Sequence, residues 1–270
     1  MPFYNDQLNR VIEINKNPRR IVSLVPSQTE LLYDLGLDNE VSGITKFCVH
    51  PAEWFRNKKR VGGTKTVDIK KVMALDPDLI IANKEENTRE QIEALEKIAP
   101  VWVSDVNTIS GALQMISDIG VITGKEKQAL QIVSQIDNDF GKITSLVNRP
   151  AHKKIRTAYL IWKNPYMAAG GGTFIHDMMR LNGFENVLSD TERYPTIDCS
   201  ELQRKNTQLL LLSSEPYPFK QPHIEELKKE LPNTMILIVD GEMFSWYGSR
   251  MLRAGAYFQQ LQQILTQVSV

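Results

Sequence analysis

Strand-length apolar runs alternate with helical patterns along this chain, and the alternation breaks only once, at the long helical stretch 108–147. That rhythm is what a largely parallel sheet with crossover helices requires. In the first half the runs at 20–25, 41–44, 78–82 and 101–103 predict strands. Ser27 and Glu30 have the spacing of a capping box, with Gly36 placed to end the helix. Asp68 caps a second helix that stops before Pro77, and residues 88–98 form a third, closed by Pro100. The second half repeats the theme. Strands are predicted at 155–162, 208–212 and 235–239, and helices at 174–181, 223–231 and 250–267. Between the halves one helix is expected over 109–123, and after Gly124 a longer one over 125–147. In the longer one Ala129, Ile132, Val133, Ile136, Phe140, Ile143 and Val147 recur every three or four residues as one apolar stripe. The expected fold is α/β: two Rossmann-like lobes with central, mainly parallel sheets joined by one long backbone helix. The domains are an N-terminal α/β lobe over 1–122, the connecting helix over 123–149 and a C-terminal α/β lobe over 150–270.

An internal echo links the halves. Asp68 starts a short helix that leads to a buried strand and then Glu85; Asp198 starts another that leads to a buried strand and then Glu215. Each carboxylate follows its capping aspartate by the same interval. A polar group just past a strand end matters, because open α/β sheets bind ligands beyond the carboxyl ends of their strands.

Composition removes several functions. Lys+Arg and Asp+Glu both number 32, so the chain is formally neutral and lacks the basic excess that nucleic acid or an anionic membrane attracts. The apolar share of 42% argues against general disorder. Two cysteines make no disulfide framework. The opening residues carry no apolar stretch of secretory-signal length, and no run reaches the length of a membrane span. The sequence as it stands therefore predicts a cytoplasmic protein, or a periplasmic or surface-anchored one if a leader is missing from it. Neither nucleic-acid binding nor membrane insertion is expected.

The residues after the strands are rich in aromatics and amides, and three of the four tryptophans lie among them. Aromatic faces with a few polar groups suit a large organic ligand. Phe47, Trp162, Tyr166, Tyr217, Phe244 and Trp246 are the expected ligand-facing aromatics. Ser27, Gln28, Thr64, Lys84, Glu85 and Glu215 are further lining groups, and Cys48, His50 and Arg250 are polar or coordinating contacts. Arg250 has a second reading, as a brace for the final helix. Cys48 and His50 stand two residues apart, so in an extended chain both side chains point one way and could share a metal. The other reading is a buried cysteine beside an ordinary histidine, since His152, His176 and His223 are scattered. No catalytic residue is assigned: no G-x-S-x-G elbow is present. Gly170, Gly171 and Gly172 precede a helix and form either an anion cradle or a flexible turn.

Five segments together resemble a known family. They are RIVSLVPSQTELL at 20–32, VGGT at 61–64, VMALDPDLIIA at 72–82, GFENV at 183–187 and the stretch from Phe244 to Arg250. The pattern is similar to the class III, helical-backbone periplasmic binding proteins of ABC transporters, in the cobalamin, ferric-siderophore and haem branch. The likeness runs from about residue 19 to 265. It implies a solute-binding protein, not an enzyme, holding a metal-containing macrocycle or chelate between its lobes, cobalamin first, then haem or a ferric siderophore. It requires no cofactor beyond such a bound corrinoid, haem or iron chelate. It also implies docking on an ABC permease through one acidic residue per lobe. Glu201 falls at that place in the second lobe, while Lys70 stands there in the first, with Lys71 beside it. The alternatives are a cytoplasmic tetrapyrrole-handling enzyme such as a chelatase, using His50 with Glu85 or Glu215, and a bare metal-ion binding protein.

Overall fold

The computed structural model describes residues 2–14, 17–149 and 154–268. Pro150 and His152 lie outside them. The chain divides into two compact units. Unit 1 comprises residues 1–106, 110–135 and 247–250; unit 2 comprises 107–109, 136–246 and 251–270.

Unit 1 opens with an antiparallel hairpin of β1 (Phe3–Asn5) and β2 (Val11–Glu13). Its main sheet starts at β3 (Ile21–Ser23), followed by α1 (Pro26–Asp34), β4 (Val41–Ile44), α2 (Ala52–Asn57) and β5 (Lys59–Arg60). A two-stranded excursion, β6 (Gly62–Gly63) and β7 (Thr66–Val67), precedes α3 (Ile69–Met73) and β8 (Leu79–Asn83). Then come α4 (Arg89–Leu95), β9 (Val101–Ser104), α5 (Ile109–Thr123) and α6 (Glu126–Val147). The five strands lie in the order β5-β4-β3-β8-β9, all parallel. β3, β8 and β9 are buried along their whole length, which is why they read as unbroken apolar runs.

Unit 2 is built on β10 (Ile155–Trp162), followed by β11 (Met167–Ala168), α7 (Phe174–Leu181), β12 (Phe184–Asn186) and α8 (Cys199–Arg204). After these come β13 (Leu209–Ser213), α9 (Gln221–Glu230), β14 (Met235–Val239), α10 (Gly241–Ser245) and α11 (Met251–Val268). β10, β13 and β14 are parallel; β12 runs parallel and β11 antiparallel along the other edge of β10.

Both sheets reverse their direction of growth next to their first strand. In unit 1 the chain moves outward from β3 to β4 and β5, then returns to the other side of β3 with β8. In unit 2 it fills the β11 and β12 edge of β10 first and then crosses to β13. The loops after β3 and β8, and after β10 and β13, therefore part in opposite directions. The crevice they leave is where open sheets hold ligands.

Local chemistry explains most element ends. Asp68, Thr88, Thr173 and Asp198 each accept a backbone N–H from the first turn of their helices. Gly36 and Gly124, with φ of +75° and +69°, close α1 and α5. The α6 stripe behaves as its periodicity predicts: Ala129, Ile132, Ile136, Phe140, Ile143 and Val147 are buried, and Val133 is half-buried. The unit boundary falls at 135/136, inside this helix, where the sequence expectation sets 123–149 apart as a connector.

One cap differs from expectation. α1 begins at Pro26, whose missing N–H suits the first helical position, and Val25 is its N-cap. Ser27 and Glu30 are thus inside the helix and make no capping box. Their side chains serve tertiary contacts instead.

Candidate functional site

In unit 1 the crevice between β3 and β8 is lined by a buried polar network. Asn83, at the end of β8, accepts from the backbone N–H of Glu85 at 2.8 Å and of Glu86 at 3.2 Å, which folds the loop back on itself. Asn83 Nδ2 donates to the Ser104 hydroxyl at 3.0 Å, and Gln28 Nε2 donates to the same hydroxyl. The Tyr247 phenol hydrogen-bonds Ser27 and Ser104. Burial, then the neighbouring charges of Glu86 and Glu85, push that phenol well above the ordinary tyrosine range. Asn87 holds the β6–β7 turn by donating to the Thr64 carbonyl at 2.8 Å, and the Thr64 side chain hydrogen-bonds Glu86. Burial and the charge of Glu85 raise the Glu86 carboxyl, against the pull of Lys65. Lys84 turns outward to Asp105 at 2.6 Å. Phe47 is 51% exposed, with the Lys46 ammonium 5.1 Å from its ring centre.

In unit 2 the crevice between β10 and β13 is aromatic. Trp162, the last residue of β10, is 41% exposed and meets Tyr217 edge-on at 5.8 Å. Tyr217 packs in turn on Phe219 at 4.8 Å and His223 at 5.5 Å. Glu215 accepts from the Ser245 hydroxyl at 2.8 Å and from Trp246 Nε1 at 2.9 Å. Burial raises its carboxyl, and Glu242 and Asp240 add to the effect, against those two hydrogen bonds. Half-buried Tyr166 is pushed up to about 12 by burial and by the Glu226, Cys199 and Glu230 charges.

The raised Glu215 carboxyl sets a pH dependence. Its folded form holds a proton more readily than the unfolded chain does, so its ionisation removes stability as pH rises through that window. Glu215→Gln keeps an acceptor for Ser245 and Trp246 and removes the charge. The variant is expected to unfold at higher urea than the parent at neutral pH, with the difference closing on acidification. A constant difference at all pH values would contradict this account.

Several expected site residues are placed elsewhere. Phe244 is fully buried in the unit 2 core against Tyr159 and Phe258, so it shows no face to a ligand. Arg250 is tied to α1 rather than bracing the final helix: its guanidinium pairs bidentately with Glu30 at 2.7 and 2.8 Å within unit 1. Cys48 is also sealed. The residues after β4 form a turn rather than an extended strand, so Cys48 points inward to the hydroxyls of Thr29 and Thr45, both at 3.1 Å, while His50 is half-buried. Burial raises the thiol, which disfavours the thiolate that a metal or an electrophile needs. Among the described residues no three His, Cys, Asp or Glu side chains gather as a metal site. Gly170 and Gly171 are packing positions: a Cβ on Gly170 would sit 2.1 Å from the Thr191 carbonyl oxygen and one on Gly171 2.4 Å from that of Ser189. Their N–H groups are already spent on the carbonyls of Arg193 and Thr191, while Gly172, with φ of +68°, makes the turn before α7.

Tyr247, Asn83, Glu86, Phe219 and His223 escaped the sequence reading as site residues. Tyr247 meets partners far away in sequence. Asn83 with Asn87, and Tyr217, Phe219 and His223 within seven residues, are local clusters whose spacing alone shows no helix or strand period. The internal echo does sharpen one position. Asp198 accepts from Glu201 N as Asp68 accepts from Lys71 N, so Lys71, not Lys70, is the internal counterpart of Glu201.

The chain is similar to known binding proteins. It is 29% identical over 193 residues to an uncharacterized ABC transporter substrate-binding lipoprotein, YvrC, of Bacillus subtilis strain 168; the match spans 69% of this chain and 60% of that one. It is 22% identical over 260 residues to a vitamin B12-binding protein of Pectobacterium carotovorum, covering 93% and 90% of the two chains. Two solved structures share the fold. The petrobactin-binding protein YclQ of Bacillus subtilis superposes with a TM-score of 0.81 at 18% identity, over 96% of this chain and 97% of that one. The periplasmic heme-binding protein HutB of Vibrio cholerae gives 0.77 at 20% identity, over 91% and 98%. A profile of the periplasmic binding protein family matches residues 21–233, which hold nearly all of both main sheets. The chain belongs to the periplasmic binding protein family.

Proposed function

We propose that this protein is the solute-binding component of an ABC-type uptake system and holds a metal-containing macrocycle or chelate, cobalamin first, then haem or a ferric siderophore. The observation that carries the reading is the exposed ring of Trp162 set edge-on against half-buried Tyr217 at the switch point of the unit 2 sheet. A wide aromatic edge suits a bulky organic ligand and offers little to a bare ion. The vitamin B12-, petrobactin- and heme-binding relatives support the same ligand class. The family is one of transport-related binding proteins, and that weighs against the chelatase alternative.

The cytoplasmic expectation finds no support in relatives described as periplasmic or as lipoproteins. A periplasmic or surface-anchored location fits them. No helix among the described residues is long and apolar enough to cross a membrane. A permease partner follows from the family role. Glu201 on α8 is our candidate for that contact, and its counterpart Lys71 on α3 gives the two units opposite charges there.

The test is titration of the purified protein with cyanocobalamin, then haemin, following tryptophan emission and the visible band. Saturable one-to-one binding at about micromolar ligand or tighter is expected. If neither macrocycle produces saturable quenching, both leave the ligand list and a ferric siderophore is tried next.

A further inference from the structure

His223 lies in the first turn of α9 and is held at both ring nitrogens. The Lys220 backbone N–H donates to Nδ1 at 2.8 Å, and Nε2 meets the Tyr217 hydroxyl at 3.2 Å. A backbone amide can only donate, so Nδ1 carries a lone pair and the neutral ring keeps its hydrogen on Nε2. That hydrogen points at the Tyr217 phenolic oxygen. Phe219 closes the arrangement, 5.5 Å from His223 and 4.8 Å from Tyr217. Tyr217 is therefore fixed by a donor on one side and a ring on the other, and its own hydroxyl hydrogen is directed to a different acceptor.

We infer that His223 is a positioning residue: it orients Tyr217, and through Tyr217 the exposed edge of Trp162, so that this face selects ligands that bring an acceptor oxygen beside a flat apolar surface. The inference rests on the reading of that face as ligand-holding. A carboxylate, amide carbonyl or catecholate oxygen on the ligand supplies the acceptor.

Two amides separate the roles of the nitrogens. His223→Asn keeps an acceptor near Nδ1 and deletes the reach of Nε2; His223→Gln does the reverse. The expected result for His223→Asn is unchanged thermal stability with about fivefold to tenfold weaker binding of whichever probe the wild type binds, cyanocobalamin or haemin. His223→Gln recovers most of that affinity. Tyr217→Phe, which deletes the ligand-facing hydroxyl itself, weakens binding at least as much, and adding His223→Asn to it weakens binding no further, because no hydroxyl is left for His223 to orient. Wild-type affinity in His223→Asn overturns the inference.

A second readout needs no ligand. Trp54 and Trp102 are sealed, so in a Trp246→Phe background acrylamide reports chiefly on Trp162. At neutral pH the quenching constant is expected to change on adding His223→Asn, because Tyr217 no longer holds the Trp162 edge, and to return to the parent value with His223→Gln. Equal quenching in all three overturns the inference, even if neither macrocycle binds the wild type and the ligand reading fails.

Discussion

Glu30→Gln is expected to destabilise unit 1 by about 3–5 kcal/mol, the usual cost of leaving a buried charge without its partner. The Glu30 and Arg250 side chains are 6% and 4% exposed, so water cannot replace the lost carboxylate. The pair also holds residues 247–250 against α1, the helix that starts at the switch point of the sheet. Gly248 approaches closely there: a Cβ on it would lie 3.3 Å from the Ser27 carbonyl oxygen, with φ at +104°. Trp54 and Trp102 both belong to unit 1, so urea unfolding followed by their emission in a Trp162→Phe, Trp246→Phe background reports the right unit. The double change Glu30→Leu, Arg250→Leu should recover most of the loss, since no lone charge remains. A single variant as stable as its parent would show that the pair is not a clamp.

The sequence exposed what depends on neighbours in the chain. β4, β10, β14, α5 and α7 have the bounds their apolar patterns predict, because each is a buried run or an amphipathic stripe with a local stop. The shared interval from Asp68 to Glu85 and from Asp198 to Glu215 likewise marks two equivalent cap–helix–strand–carboxylate units. What failed depends on partners far away in sequence. Ser27 and Glu30 fit a capping box by spacing alone, yet Tyr247 and Arg250 claim them across more than two hundred residues. Two-residue strands such as β6, β7 and β11 carry too few residues for any period to show.

The aromatic assignments show the same limit. Phe244, Trp246 and Tyr247 are consecutive or nearly so in one segment, and composition cannot say which turns in. Phe244 begins no ligand face because α10 points it at Tyr159, Tyr257 and Phe258. Trp246 is half-buried and reaches Glu215, while Tyr247 enters the unit 1 network. Two positions along the chain thus separate a core side chain from a candidate-site one.

That difference gives the other large prediction. Phe244→Ala is expected to cost about 3–5 kcal/mol, because it empties a fully buried ring from a cluster of three aromatic neighbours. Trp162→Ala removes a ring that is 41% exposed and should change stability by no more than about 1 kcal/mol. Ligand affinity should rank the two variants in the opposite order. Losing Trp162 takes an aromatic surface away from the ligand and weakens binding by about tenfold or more, as an anchor at a binding face does. Phe244→Ala, measured well below its melting temperature, should bind close to wild type. Urea unfolding and probe titration on the same two proteins decide the matter. If Phe244→Ala is as stable as the parent but binds poorly, the ring faces ligand and the core assignment is wrong. If Trp162→Ala binds as the parent does, the aromatic edge at the β10–β13 switch point is not the ligand-holding surface.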